Sequence, residues 1–154
     1  MIASVDQIFM QEAIKQAVLA AEKDEVPVGA VITHHGAIIA RAHNQVELLK
    51  DPTAHAEMIA ITQAASQLSS KWLKDCSLYV TIEPCSMCAG ALVLARIKKI
   101  FFGASDPKAG ACGSVLNIVE NRNLNHRVEV YKGILEAESS FLVKEFFRKK
   151  RNLV

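Results

Sequence analysis

The sequence predicts a single α/β domain of three layers, in which a central mixed five-stranded sheet lies between helices. Two observations lead to this prediction: short strand-like segments alternate with segments of helical spacing, and one strand–helix–strand order implies a parallel pair beside an antiparallel hairpin. The chain of 154 residues is long enough for one domain with a sizeable core. We therefore expect the domain to span residues 1–154.

The first part of the chain is predicted as a helix followed by a hairpin. Ser4 with Gln7 three residues later is typical of a capping box. Apolar residues then recur at helical spacing to about Lys23, namely Ile8, Ala13, Ile14, Ala17, Val18 and Ala21. Pro27 ends this segment. Two strands joined by a His-His-Gly turn come next, at residues 28–33 and 37–41.

The rest of the chain alternates helices and strands. Asp51-Pro52-Thr53 precedes a predicted second helix at residues 54–68. The following strand, residues 77–82, is almost continuously apolar, as expected for a strand buried on both faces. The later elements are a helix from about 85 to 95, a strand at 99–103, a loop at 104–113, a strand at 128–131 and a helix at 136–150.

The charge is unevenly distributed, although the net charge is only +2. Within residues 141–154, Lys144, Arg148 and the run Lys149-Lys150-Arg151 stand against the single acid Glu145. A basic tail of this kind fits a polyanionic partner. From composition alone, a solvated helix end is the simpler interpretation, because cations suit a helix C-terminus.

No segment approaches the apolar length that spans a bilayer, and the start of the chain lacks a basic region with an apolar signal core. We therefore expect a cytoplasmic protein without membrane partners. In that compartment the four cysteines are expected to be reduced thiols.

His55-Ala56-Glu57 and Pro84-Cys85-Ser86-Met87-Cys88 carry the chemistry. His55, Cys85 and Cys88 provide three zinc ligands, and a catalytic zinc site keeps its fourth position open for water. A lone C-x-x-C also fits a redox dithiol or half of a zinc ribbon. However, Cys76 and Cys112 stand alone, so no second pair exists. Three ligands with a nearby carboxylate, Glu57, indicate an enzyme that activates water.

The H-x-E and P-C-x-x-C motifs together are the signature of zinc-dependent nucleobase deaminases. Longer segments resemble the bacterial tRNA-specific adenosine deaminases, namely residues 27–31, 51–57, 78–91 and 125–130. The resemblance extends from about residue 6 to 151, and the 106–114 loop and the basic last helix favour the tRNA-acting member. It implies a cytidine-deaminase-like fold, and deamination of the wobble adenosine of a tRNA anticodon to inosine.

The resemblance also implies the role of each site residue. His55, Cys85 and Cys88 bind Zn²⁺, while Glu57 shuttles protons. Contacts to the base or the anticodon loop are implied for Asn44, the Ala56 N–H, Asp106, Phe147 and Arg148, with the 149–151 run beside them. It further implies a homodimer whose partner chain borders the RNA site. From the residues alone, Asn44 equally fits a turn residue, and Phe146 or Phe147 fits core packing.

Two other functions fit the sequence. The first is an enzyme of the same fold that deaminates a free base or nucleoside, which the basic tail disfavours. The second is a non-catalytic RNA-binding module with a structural zinc. That module needs a fourth ligand, for which Cys76 and Cys112 are the candidates, and it leaves Glu57 without a purpose.

Overall fold

The computed structural model describes residues 3–153, so Met1, Ile2 and Val154 of the predicted domain lie outside the described residues. Helices and strands follow one another as α1 Val5–Glu22, β1 Gly29–His34, β2 Ala37–His43, α2 Val46–Leu49, α3 Ala56–Leu68, β3 Cys76–Ile82, α4 Ser86–Leu94, β4 Lys99–Ala104, β5 Glu129–Lys132 and α5 Glu136–Asn152. Each predicted element is present. The short helix α2 was not predicted, because four residues carry no periodic signal.

The five strands form one mixed sheet in the order β2-β1-β3-β4-β5. β1 pairs antiparallel with β2 and with β3, whereas β3, β4 and β5 are parallel neighbours. The predicted mixed five-stranded sheet is therefore confirmed. The carboxyl ends of β3 and β4 meet at one edge of the sheet, and the loops that follow them begin there.

Helices cover both faces of the sheet, as predicted. Alternate residues of β3 show this, because Leu78 and Val80 belong to the core under α3 and α4, whereas Tyr79 belongs to a second core under α1. Helix α5 contacts α1 and lies on that second face. A strand buried on both sides explains the continuous apolar run that the sequence displays here.

Two details of the predicted helices are wrong. The helix predicted to begin at residue 54 begins at Ala56, because His55 is its N-cap with extended backbone angles, φ −74° and ψ 152°. In α1, the predicted apolar face included Ile8, which is 47% exposed. The fully buried residues of α1 are three alanines and one methionine, namely Met10, Ala13, Ala17 and Ala20, with Phe9 and Ile14 packed beside them.

Trp72 lies in the segment just before β3, at the amino end of that strand, and its indole is exposed. The ammonium groups of Lys71 and Lys74 lie 5.0 and 5.1 Å from the centre of its ring, and the guanidinium of Arg96 lies at 5.4 Å. We refer to these four residues as the tryptophan cluster. Within the described residues, no helix is long and apolar enough to cross a membrane.

Candidate metal centre and cleft

Two helix N-termini bring the three predicted ligands together. His55 is the N-cap of α3 and Cys85 is the N-cap of α4, while Cys88 lies one turn into α4. Nδ1 of His55 is 3.6 Å from Sγ of Cys85 and 3.5 Å from Sγ of Cys88. Tetrahedral zinc with bonds of about 2.3 Å to sulfur and about 2.05 Å to nitrogen places these atoms roughly 3.6 Å apart. The cluster therefore has the dimensions of a zinc site.

The described residues offer no fourth protein ligand to this cluster. The group of potential ligand atoms within 4.8 Å of one another contains His55, Cys85 and Cys88 alone. Cys76 begins β3, so a seven-residue strand separates it from the site, which corresponds to roughly 20 Å. Cys112 is buried outside the group. This arrangement disfavours the structural-zinc alternative.

The electrostatics of the cluster suit a cation. Hydrogen bonds from Cys88 and His55 lower the pKa of the Cys85 thiol to about 3. The same contact to Cys85 raises the pKa of His55. The pKa of Cys88 is raised, because its thiol is the donor to Cys85 and is buried. The N-termini of α3 and α4 add positive potential, which stabilises thiolate ligands.

Glu57 lies in the first turn of α3 with only 4% of its surface exposed. Burial raises its pKa to about 7, against an ordinary value of 4.5. It interacts with Cys88 without belonging to the three-ligand group. A carboxyl group of this kind can both accept and release a proton near neutral pH.

A cleft of about 1070 Å³ opens over the cluster. His55, Ala56, Glu57 and Cys85 line it together with Asn44. Asn44 is 7% exposed and donates from Nδ2 to the carbonyl oxygen of Val26 at 3.3 Å, while its Oδ1 has no hydrogen-bond partner. A buried acceptor without a partner is costly, so this oxygen is available to a donor on a bound molecule. The turn-residue interpretation leaves it unexplained.

The other predicted contact residues are only partly gathered at this cleft. Asp106 and Phe147 line it, and Phe146 does so as well. Neither phenylalanine belongs to a described core cluster, which argues against core packing for both. Arg148 does not line the cleft; its Nε donates to Glu145 at 3.1 Å on the surface of α5.

Glu83 is a buried carboxylate that sequence analysis missed. It accepts hydrogen bonds from the backbone N–H groups of Asp106 at 3.0 Å, Cys112 at 3.0 Å and Ser114 at 3.1 Å, and also from the Ser114 hydroxyl. These bonds attach the 106–114 loop beside Cys85. A charged residue directly before the P-C-x-x-C motif, within an apolar strand context, is the signal that could have revealed it.

Glu25 is a second buried carboxylate at the cleft. Its two oxygens accept from the N–H groups of Glu47 at 2.9 Å and Leu48 at 2.8 Å, so it caps α2 from the preceding loop. The cap fixes the short helix that follows Asn44. Because this partner is more than twenty residues away in sequence, the pattern around α2 gives no local sign of it.

Comparison with known proteins agrees with this chemistry. The MafB19-like deaminase family matches residues 4–151. A tRNA-specific adenosine deaminase from Aquifex aeolicus is 54% identical over 146 residues, which cover 95% of this chain and 96% of that relative. The resemblance noted in the sequence is confirmed.

Solved structures of deaminases are also similar to this chain. One, from work on A-to-I editing by tRNA:A34 deaminases at the wobble position of transfer RNA, is 43% identical with a TM-score of 0.85 and covers 88% of this chain and 98% of its own. A guanine deaminase structure from Bacillus subtilis is 42% identical with a TM-score of 0.63, and covers 69% of this chain and 68% of its own. The cytidine-deaminase-like fold expected from the resemblance is thereby confirmed.

Proposed function

Because this chain belongs to the MafB19-like deaminase family, we propose that it is a zinc-dependent enzyme that deaminates adenosine to inosine at the wobble position of a tRNA anticodon. One observation carries the proposal: a three-ligand cluster with an open side shares its cleft with the buried carboxylate of Glu57. The extensive identity to a tRNA-specific adenosine deaminase supports the substrate.

His55, Cys85 and Cys88 would hold the metal. Bound there, zinc lowers the pKa of water from about 15.7 to about 7, and so supplies a hydroxide nucleophile at neutral pH. Glu57 then carries the protons of the reaction. It takes one proton from the attacking water and gives it to the ring nitrogen. It then takes the remaining proton from the hydroxyl added to the ring carbon and passes it to the exocyclic nitrogen, so that the C–N bond breaks and ammonia leaves as the carbonyl forms.

Asn44 and the Ala56 N–H would orient the base. The free Oδ1 of Asn44 is an acceptor, whereas the Ala56 amide is a donor, so the two suit a base edge that carries both kinds of group. Asp106 would lie near the ribose or backbone next to the extruded base. Its Oδ1 already accepts from the N–H groups of Lys108 and Ala109, which fixes its position in the loop.

Phe147 and Arg148 of α5 would meet the anticodon loop. Phe147 is exposed at the cleft, where an aromatic ring can stack on an unpaired base. Arg148 would need to leave Glu145 to contact a phosphate.

We also propose a homodimer located in the cytoplasm. Apolar side chains exposed on α4 and on the loop after Gly113 support a protein partner, since Leu94 is 80% exposed and Val115 and Leu116 are both exposed. A cytoplasmic location agrees with modification of tRNA.

Deamination of a free base is the competing function, and similarity to a guanine deaminase favours it. That structure matches 69% of this chain with a TM-score of 0.63, whereas the structure from work on tRNA:A34 deaminases matches 88% of it with a TM-score of 0.85. The decisive experiment incubates zinc-loaded protein with an anticodon stem-loop, free adenosine and free guanine, and measures inosine and xanthine. Inosine in the stem-loop is expected. Product from a free substrate alone would replace the tRNA proposal with the competing one.

A further inference from the structure

The cleft has a charge pattern that limits where RNA can lie. Its lining includes six carboxylates, namely Asp24, Glu25, Glu47, Glu57, Glu83 and Asp106. Only three lysines line it, which are Lys23, Lys50 and Lys150. A neutral base can enter such a cleft, but phosphates are repelled from its carboxylates. The RNA backbone must therefore remain at the rim, where the lysines are.

The basic C-terminal helix provides few free cations at this rim. Of Arg148, Lys149, Lys150 and Arg151, only Lys150 lines the cleft. Its Nζ is 2.6 Å from Oδ1 of Asp24, so a carboxylate already neutralises much of its charge. The other three basic residues of this tail, Arg148, Lys149 and Arg151, therefore do not line the cleft.

Lys23 and Lys50 are the remaining rim cations. Lys23 caps the end of α1, and Lys50 caps the end of α2 in the left-handed region at φ 52°. Both are exposed, and neither forms an ion pair with any carboxylate that the structure describes. Asn44, whose Oδ1 has no hydrogen-bond partner, lies between them in the sequence and lines the same cleft.

We infer that Lys23 and Lys50 bind the RNA phosphates that flank the extruded nucleotide. The inference rests on the proposed function and names the backbone contacts that accompany it. The two lysines come from different elements at one cleft, so they can hold the chain on both sides of the base while it enters. Cations at a helix C-terminus also interact favourably with the helix dipole, which requires no RNA. The salt dependence of RNA binding distinguishes phosphate binding by these lysines from stabilisation of the helix ends.

The test measures filter binding of an anticodon stem-loop to zinc-loaded protein over a range of salt concentrations. The variants are Lys23→Gln, Lys50→Gln and the double variant. Each lost phosphate contact should reduce the slope of log affinity against log salt by about 0.7, so the double variant should lose about 1.4. In deamination assays the loss should appear mainly as a higher KM.

Lys71→Gln/Lys74→Gln is the matched control. It removes the same charge from exposed lysines at the other end of β3 and should keep the wild-type slope. An unchanged slope in the Lys23/Lys50 double variant would refute the inference, and so would an equal loss in the control. Wild-type inosine formation on the same stem-loop is measured in parallel. If it is present while the double variant keeps its slope, only this inference fails; if it is absent, the proposed function fails too.

Discussion

A single side chain, Glu83, organises the loop beside the metal cluster. Four donors from Asp106, Cys112 and Ser114 converge on its carboxylate, and a Cβ at Gly110 would lie 2.4 Å from it. Only glycine allows the backbone so close to the carboxylate. The loop is thus built around a buried charge, and its position at the cleft follows from that charge.

Glu83→Gln should destabilise the protein by about 1.5–3 kcal/mol, the range for hydrogen bonds to a charged group. Burial alone would raise the pKa of Glu83, but its hydrogen bonds together hold it below the ordinary value of 4.5. Its stabilisation is therefore present above the pKa of the unfolded chain and is lost as pH falls through the lower folded value.

Urea unfolding of wild type and Glu83→Gln between pH 7 and pH 3 checks this prediction. The difference in free energy of unfolding should be constant down to about pH 5 and should shrink below about pH 4.5, where the unfolded carboxyl begins to protonate. A difference that grows on acidification would contradict a lowered pKa.

Glu57→Gln separates chemistry from binding. Because Glu57 lies outside the three-ligand group, the variant should keep wild-type zinc content and stem-loop affinity. It should lose at least the roughly 10²-fold in turnover that a general acid–base group contributes. Zinc analysis and single-turnover inosine formation measure the two effects, and near-normal turnover would remove Glu57 from the mechanism.

Residues of this site can be predicted from the sequence when they belong to a short motif of known chemistry. His55, Cys85 and Cys88 were identified because ligand type and spacing are local properties, and the structure brings them together. Glu83 and Glu25 were missed, because their hydrogen-bond partners come from distant segments of the chain.

At the scale of elements, α1 lies unusually close to the sheet. A Cβ added to Gly29 of β1 would meet the carbonyl oxygen of Ala13 at 1.9 Å and the amide of Ala17 at 2.5 Å. This close approach explains why alanines form the buried face of α1. Helical spacing alone included Ile8 in the apolar face, although Ile8 is 47% exposed.

Gly29→Ala should therefore destabilise the protein by at least the roughly 1–3 kcal/mol of ordinary overpacking, because the obstacles are backbone atoms. Gly90→Ala is the control. Gly90 lies inside α4, and a Cβ added there would meet nothing within 4 Å, so alanine should stabilise by about 0.5–1 kcal/mol. Thermal unfolding of both variants is the measurement. Equal effects of the two substitutions would rule out the close contact.

Across the whole molecule, the cleft is assembled from segments at both ends of the chain. The ion pair between Asp24 and Lys150 joins residues 126 apart in sequence. Local patterns predicted the layers and the mixed sheet, because periodicity reports burial. They gave no indication that α5 would reach the turn after α1, since that contact depends on how the finished helices pack.

Asp24→Asn tests what this long-range pair does. An exposed ion pair contributes at most about 1 kcal/mol, so stability should change little. Lys150 should become available to RNA, which predicts tighter stem-loop binding at low salt and a slope steeper by up to about 0.7. Binding isotherms at several salt concentrations provide the readout, and Lys150→Gln should abolish the gain. Weaker binding by Asp24→Asn would show that the pair holds the cleft open.

The tryptophan cluster gives the protein a distinctive optical property. Trp72 is the only tryptophan, it is 41% exposed, and three cations surround its ring. Its fluorescence should be quenched strongly by iodide and weakly by caesium, with neutral acrylamide as the reference, because the cations concentrate anions and repel cations. High salt should reduce the difference between quenching by iodide and quenching by caesium.

RNA bound at the cleft, beyond the far end of β3, should leave the Trp72 emission unchanged. This signal therefore reports the integrity of the end of the domain opposite the cleft. Equal quenching by the two ions would mean that the cations do not surround the ring in solution.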